Sequence, residues 1–210
     1  MSYLDLAALD AAPLCNDPFP HVIVGGFVDP RRLAAVLADF PEVPGSGSHP
    51  PSELNIAGAF KDVIDELLGD GFRAAVERKF GIDLAGRPAM YTVRGYARRK
   101  DGRIHTDVPT KLITVLLYLN PAWAPDEGRL RLLRNGTDLD DFAAEVPPVA
   151  GNLLVFPPSA TSWHGHKPFQ GRRRAIQLNW VVSQDVVDKE QSRHRFSSRL
   201  KKFASRFVPQ

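Results

Sequence analysis

The chain has 210 residues, 43% of them hydrophobic and 24% charged, the balance of one soluble domain able to bury a sizeable core. No apolar run approaches the roughly 20 residues of a membrane span, and a single cysteine, Cys15, excludes an intramolecular disulfide and leaves His and carboxylates to build any metal site. The formal charge of +3 is local: six of the 27 basic residues (Arg193, Arg195, Arg199, Lys201, Lys202 and Arg206) lie in a tail without an acidic residue, and the remaining 21 face 24 acidic ones. Such tails bind nucleic acid, membrane or acidic partners, but a solvated helix face is the commoner outcome, so nucleic acid is not an expected partner. The N-terminus carries neither a basic leader nor a continuous apolar stretch, which predicts a cytoplasmic protein. Nothing in the sequence specifies an oligomeric state.

Residues 1–18 read as irregular. Pro20–Val24 reads as a short strand ended by Gly25-Gly26. Asp29-Pro30 then starts a helix, with Asp suited to the N-cap and Pro to the first helical position; Leu33, Val36, Leu37 and Phe40 form its apolar stripe and Pro41 closes it. Residues 41–53, rich in Gly, Ser and Pro, form a loop, either a plain connector or a lid, and its His49 is not counted as a ligand. From Phe60 to Phe80 the spacing predicts two consecutive helices interrupted near Gly69-Asp70-Gly71, with Gly81 as C-cap.

From Ala89 the period changes from helical to extended. Met90–Tyr96, Leu112–Leu119, Arg129–Leu133, Leu153–Phe156 and Arg173–Val182 read as strands separated by turn signals such as Asn135-Gly136. The nearly continuous apolar, β-branched run Leu112–Leu119 predicts a strand buried on both faces. Several short strands without intervening helices argue an antiparallel sandwich or barrel. The expected organisation is a single domain, 1–210, made of supporting helices (1–88), a β core (89–183) and a basic tail (184–210). In the tail, Phe196, Leu200, Phe203 and Phe207 share one helical face.

Chemistry is concentrated in His105-Thr106-Asp107. A His-x-Asp pair places an imidazole and a carboxylate on one side of an extended chain. A further imidazole from Trp163-His164-Gly165-His166 completes a two-histidine, one-carboxylate set, which suits Fe(II) and leaves coordination positions open. Either His164 or His166 is a candidate for that place. Arg94, Arg129 and Arg131 are candidates to line the mouth of the site and bind an acidic substrate, with solvated strand positions as the alternative.

The order of these pieces resembles the Fe(II)/2-oxoglutarate-dependent dioxygenases, and within them the prolyl-4-hydroxylase-like group. The matching residues are His105-Thr106-Asp107, Tyr118-Leu119-Asn120 with Trp123, Gly128–Arg131, Val155-Phe156-Pro157, His164 and Arg173–Ile176, spread over about residues 90–182. The resemblance implies a mainly β fold with flanking helices, a double-stranded β-helix (jelly-roll or cupin-like) barrel buttressed by the N-terminal helices. It implies Fe(II) held by His105, Asp107 and His164, and 2-oxoglutarate as co-substrate, with ascorbate a candidate addition. It places a cofactor-binding basic residue about ten positions beyond the distal His, a distance met by Arg173 and Arg174. Strand alternation selects Arg173, which shares a face with Ala175, Gln177 and Asn179, whereas Arg174 shares one with Ile176, Leu178 and Trp180. The planar guanidinium matches a carboxylate bidentately. Tyr118 and Tyr96 stand where tyrosines contact the co-substrate in relatives. A Ser found two positions after the arginine in many relatives is here Ala175, so another hydroxyl must serve. Asp107 argues against the halogenating branch, which carries a small residue at that position.

The activity so implied is oxidation, in the usual case hydroxylation, of a small molecule or a protein side chain such as prolyl, with release of succinate and CO2. A cupin-like metalloprotein without 2-oxoglutarate and a non-catalytic module binding through the basic tail are the alternatives.

Overall fold

The structure is a computed structural model and describes residues 2–190 and 192. The helices come first: α1 Leu6–Ala11, α2 Pro30–Ala38, α3 Gly58–Leu68 and α4 Asp70–Phe80, with the short strand β1 Val22–Val24 between the first two. Asp29 caps α2 by accepting from Arg31 N, with Pro30 at its start, as the sequence predicts. Gly69 separates α3 from α4, and α4 ends at Gly81 in the left-handed region at φ 64°, where a side chain would be strained. Helix α1 falls in the stretch expected to be irregular. Asp5 caps it, and α4 holds it through the Arg78–Asp10 ion pair and the Lys79 ammonium on the carbonyls of Asp10 and Ala12. Its six residues are too few to be helical without that docking.

The β core comprises β2 Ala89–Ala97, β3 Lys111–Tyr118, β4 Leu130–Leu133, β5 Phe142–Val146, β6 Leu153–Phe156, β7 His164–Gly165 and β8 Gly171–Val181. A five-stranded sheet runs β1-β6-β3-β8-β2 and a three-stranded sheet runs β5-β4-β7, with antiparallel pairing throughout. This is the mainly β, helix-buttressed jelly-roll architecture expected, standing as two facing sheets rather than one closed barrel. Strand β5 was not anticipated, because Phe-Ala-Ala-Glu-Val has little intrinsic strand preference; pairing with β4 decides it.

Alternation sorts the large sheet into two faces. Val115, Leu117, Val155, Ile176, Leu178 and Trp180 join helix residues such as Phe60, Leu67, Phe72 and Val76 in the main core. Their neighbours Tyr118, Leu154, Phe156 and Ala175 point the other way and meet Leu130, Leu132 and Val146 of the small sheet. Residues 184–190 are helical; the shared apolar face of Phe196, Leu200, Phe203 and Phe207 lies outside the described residues. Among the described residues no helix is long and apolar enough to cross a membrane.

Candidate active site

His105 lies ahead of β3 and His164 opens β7. The two form an antiparallel bridge, each backbone N–H donating to the other's carbonyl at 3.0 Å. That pairing sets the imidazoles side by side, ring centroids 4.3 Å apart. Asp107 follows two residues after His105, so one ligand atom from each of His105, Asp107 and His164 falls within 4.8 Å of the others. His166, the rival for the distal place, is not part of this cluster.

Backbone carbonyls orient both histidines. Nδ1 of His105 is 2.8 Å from Arg103 O and Nδ1 of His164 is 2.9 Å from Ser162 O. With the proton on Nδ1, each Nε2 keeps its lone pair for a metal. Burial, reinforced by the neighbouring His105, pushes the His164 imidazole down to about 4, so it is neutral and ready to ligate at physiological pH. Asp107 is held from two sides, by the Lys111 ammonium at 2.7 Å and by the Thr114 hydroxyl at 2.6 Å. Burial opposes its ionisation, yet Lys111 and Thr114 outweigh that and keep the carboxyl below the usual range. Two imidazoles and one carboxylate with ligand atoms this close fit a divalent first-row metal such as Fe(II).

A second group of residues lies on the inner face of β3 and β8. Arg173 is 7% exposed; its Nε donates to Gly128 O at 2.9 Å and its Nη2 to the Tyr118 hydroxyl at 3.4 Å. Tyr118 is fully buried, and burial raises its phenol above the ordinary value. Arg174 points the other way, its guanidinium 4.7 Å above the Phe40 ring on the helix side, as the alternation predicts.

The site opens into a cavity of about 510 Å³ whose walls include His105, Asp107, Lys111, Arg94, Gln177 and Asn179. Residues 48 and 50–52 of the Gly- and Pro-rich loop line its rim, together with Val186, Val187 and Glu190 from the start of the C-terminal helical segment. The loop thus borders the site rather than merely connecting elements.

Residues 89–182 match the family model of the 2OG-Fe(II) oxygenase superfamily. That match spans the β core, a little under half of the chain. No curated protein matches the chain. Solved structures that resemble it include a Pseudomonas putida prolyl-4-hydroxylase, at 21% identity and a TM-score of 0.52 over 85% of this chain and 94% of that one. A Burkholderia pseudomallei oxidoreductase of the 2OG-Fe(II) oxygenase family is 16% identical, with a TM-score of 0.52 over 84% and 89% of the two chains. A prolyl 4-hydroxylase from Phytophthora capsici is 15% identical, with a TM-score of 0.54 over 92% and 72%. At these identities the structures establish the shared fold.

Two expectations need correction. Tyr96 is not brought to the site: it is 38% exposed, because the β2–β8 register shifts between Arg94 and Tyr96 and breaks the alternation that would have turned it inward. Arg129 and Arg131 are neither at the mouth nor solvated; they pair on the small sheet with Glu145, Arg129 also with Asp126 and Arg131 with Asp140. Lys111 and Thr114 escaped the sequence reading. Thr114 is the one aliphatic hydroxyl in the apolar run Leu112–Leu119, and that was the available signal.

Proposed function

We infer that this protein is a 2OG-Fe(II) oxygenase that hydroxylates a small molecule or a protein side chain, prolyl-like in the second case, using Fe(II) and 2-oxoglutarate and releasing succinate and CO2. The observation that carries this reading is the cluster of His105, Asp107 and His164 beside a cavity, backed by a buried arginine, Arg173, that has no ion pair among the described residues. In it, His105, Asp107 and His164 hold the iron, and Arg173 with Tyr118 holds the far carboxylate of 2-oxoglutarate. Bound there, the iron and the oxo acid together supply the oxidising power that activates oxygen toward a C–H bond.

The chain's own residues do the rest. The His105–His164 bridge fixes the angle between two ligands before any metal arrives, so little ordering is left to be done on binding. Lys111 and Thr114 keep the Asp107 carboxylate ionised and aimed. Arg173, immobilised by Gly128 O, presents its remaining N–H groups to a carboxylate. Phe156 packs edge-on against the His164 ring at 5.2 Å and keeps water from that side. Prolyl 4-hydroxylases are among the solved structures that share its fold, which keeps a prolyl side chain among the substrates to test.

The test is spectroscopic. Anaerobic addition of Fe(II) and then 2-oxoglutarate should produce a weak visible charge-transfer band from keto-acid chelation on the triad. The band should be absent in His164→Ala. Iron binding without a band would remove 2-oxoglutarate from the reading; no iron binding would remove the triad.

A further inference from the structure

Strand β8 carries an asparagine at a place that its surroundings do not favour. Asn is depleted in strands, and an amide taken out of water is costly unless its groups are bonded. Yet Asn179 is only 5% exposed, and its chain neighbours Leu178 and Trp180 belong to the main core on the other face of the sheet. In the register of the sheet, Asn179 is directly opposite Thr114 on β3 and Met90 on β2, so the three side chains stand in one row. Asn179 and Met90 border the cavity together with His105, Asp107 and Lys111.

The Thr114 hydroxyl lies 2.6 Å from Asp107 Oδ2 and 3.0 Å from the Asn179 amide. A hydroxyl has one proton to give and lone pairs with which to accept. A carboxylate that ligates a metal carries no proton, so the Thr114 proton is committed to Asp107. With Oδ1 of Asn179 facing Thr114, two acceptors compete for that proton and one contact is left without any. A half-turn of the amide exchanges its two ends without changing the shape of the side chain. Nδ2 then donates to Thr114 Oγ1, and every contact has its proton. The other end of the amide bonds to no described residue, and it is not sealed off. Among the described residues, the buried side-chain polar atom without a partner is His49 Nε2. The far end of Asn179 therefore meets the cavity, and after the half-turn that end is the oxygen.

We propose that Asn179 is a positioning residue for the metal, its amide N–H donating to the Thr114 hydroxyl so that the hydroxyl donates to Asp107. The result is a one-way chain of hydrogen bonds running from Asn179 through Thr114 to the ligand. It rests on the triad of the oxygenase reading above and adds a residue to it. Hydrogen bonds in series polarise one another, so a donor into Thr114 strengthens the bond that Thr114 gives. Lys111 holds the other carboxylate oxygen, Oδ1, at 2.7 Å. Each oxygen of Asp107 thus has its own donor, and Asn179 fixes the rotation of the hydroxyl that serves Oδ2. Without Asn179 the hydroxyl keeps its proton but loses the partner that strengthens and orients it.

The experiment titrates the full chain calorimetrically with Mn(II) under nitrogen, so the readout is metal affinity and not turnover. Asn179→Leu nearly keeps the side-chain volume and removes the donor. Mn(II) affinity should fall about 3- to 10-fold, the range of one net hydrogen bond. In a Thr114→Val background the same Asn179→Leu change should add nothing, because its route to Asp107 is already gone. In a Thr114→Ser background, which keeps the hydroxyl, it should cost as much as in the parent. A merely structural role for Asn179 would lower the affinity by the same factor in all three backgrounds, and that equality would overturn the chain. If Asn179→Leu fails to fold, Asn179→Ala gives the same comparison with less bulk. Unchanged affinity in Asn179→Leu, with binding still abolished in His164→Ala, would show the chain to be wrong and leave the triad standing. No Mn(II) binding by the parent would remove the triad and the chain with it.

Discussion

On the helix-covered side of the five-stranded sheet, Val115, Leu117, Ile176, Leu178 and Trp180 lie against α3 and α4 in a wholly apolar layer. One residue along the same strands, Thr114, Tyr118, Arg173, Gln177 and Asn179 face the small sheet and the cavity. The outer side uses its burial for stability, each large side chain contributing roughly 1.5–3 kcal/mol. The inner side spends burial on polar groups that need partners: Asp107 on Lys111 and Thr114, Arg173 on Gly128 O and Tyr118. Stability and chemistry are thus divided by the parity of a residue in its strand. A slip of one residue would exchange the two.

Substitutions on opposite sides should therefore fail differently. The largest effect is expected on the inner side: Asp107→Ala or His164→Ala should lower turnover at least ~1000-fold, the scale of losing a group that acts as one unit with its neighbours. Calorimetric metal titration should show the affinity gone while circular dichroism stays native. Trp180→Ala on the outer side should do the reverse, costing about 3–5 kcal/mol in denaturant unfolding and leaving the metal affinity of the folded fraction intact.

Acid should separate the two sides next. The buried imidazoles of His164 and His166 are pushed down to about 4, His164 by burial and His105, His166 by burial and Arg173. Unfolded histidine takes its proton near ~6.5, so between about pH 6.5 and pH 4 the unfolded chain binds more protons than the native one. The stability these groups contribute is complete above that window and is lost as pH falls through it, on the order of 3 kcal/mol for each. Denaturant midpoints of metal-free protein across the window should fall accordingly. His166→Phe, if the larger ring is accommodated, should flatten the slope by about half, and an unchanged slope would show that His166 titrates normally.

A smaller effect is expected from Thr114→Val, which removes one of the two groups aiming Asp107 and nearly keeps the volume. Metal affinity should fall by about 10- to 100-fold, as for other groups that orient a ligand. An unchanged affinity would mean that Lys111 alone positions the carboxylate. The smallest belongs to the small sheet: Arg129→Ala, removing a partly exposed ion pair, should change stability by no more than ~1 kcal/mol and leave activity alone.

Much of this was legible because it depends on neighbours in the chain. The Asp29-Pro30 start, the Gly81 stop, the helix-to-strand change at Ala89 and the His105–Asp107 pair are all local signals. So is the opposite facing of Arg173 and Arg174, since alternation along β8 carries it. Where the local rule broke, the reading broke with it. A register shift between β2 and β8 turned Tyr96 outward, and α1 and β5 owe their conformation to α4 and β4 rather than to their own propensities.

The sequence by itself determined the period of most segments, the candidate ligands and the parity of residues along regular strands, because those follow from backbone geometry over a few residues. Only the tertiary structure decided that His164 and not His166 stands opposite His105, and that Lys111 and Thr114 hold Asp107. Those outcomes depend on which strands pair and in what register, and pairing is settled by burying two faces of one sheet at once.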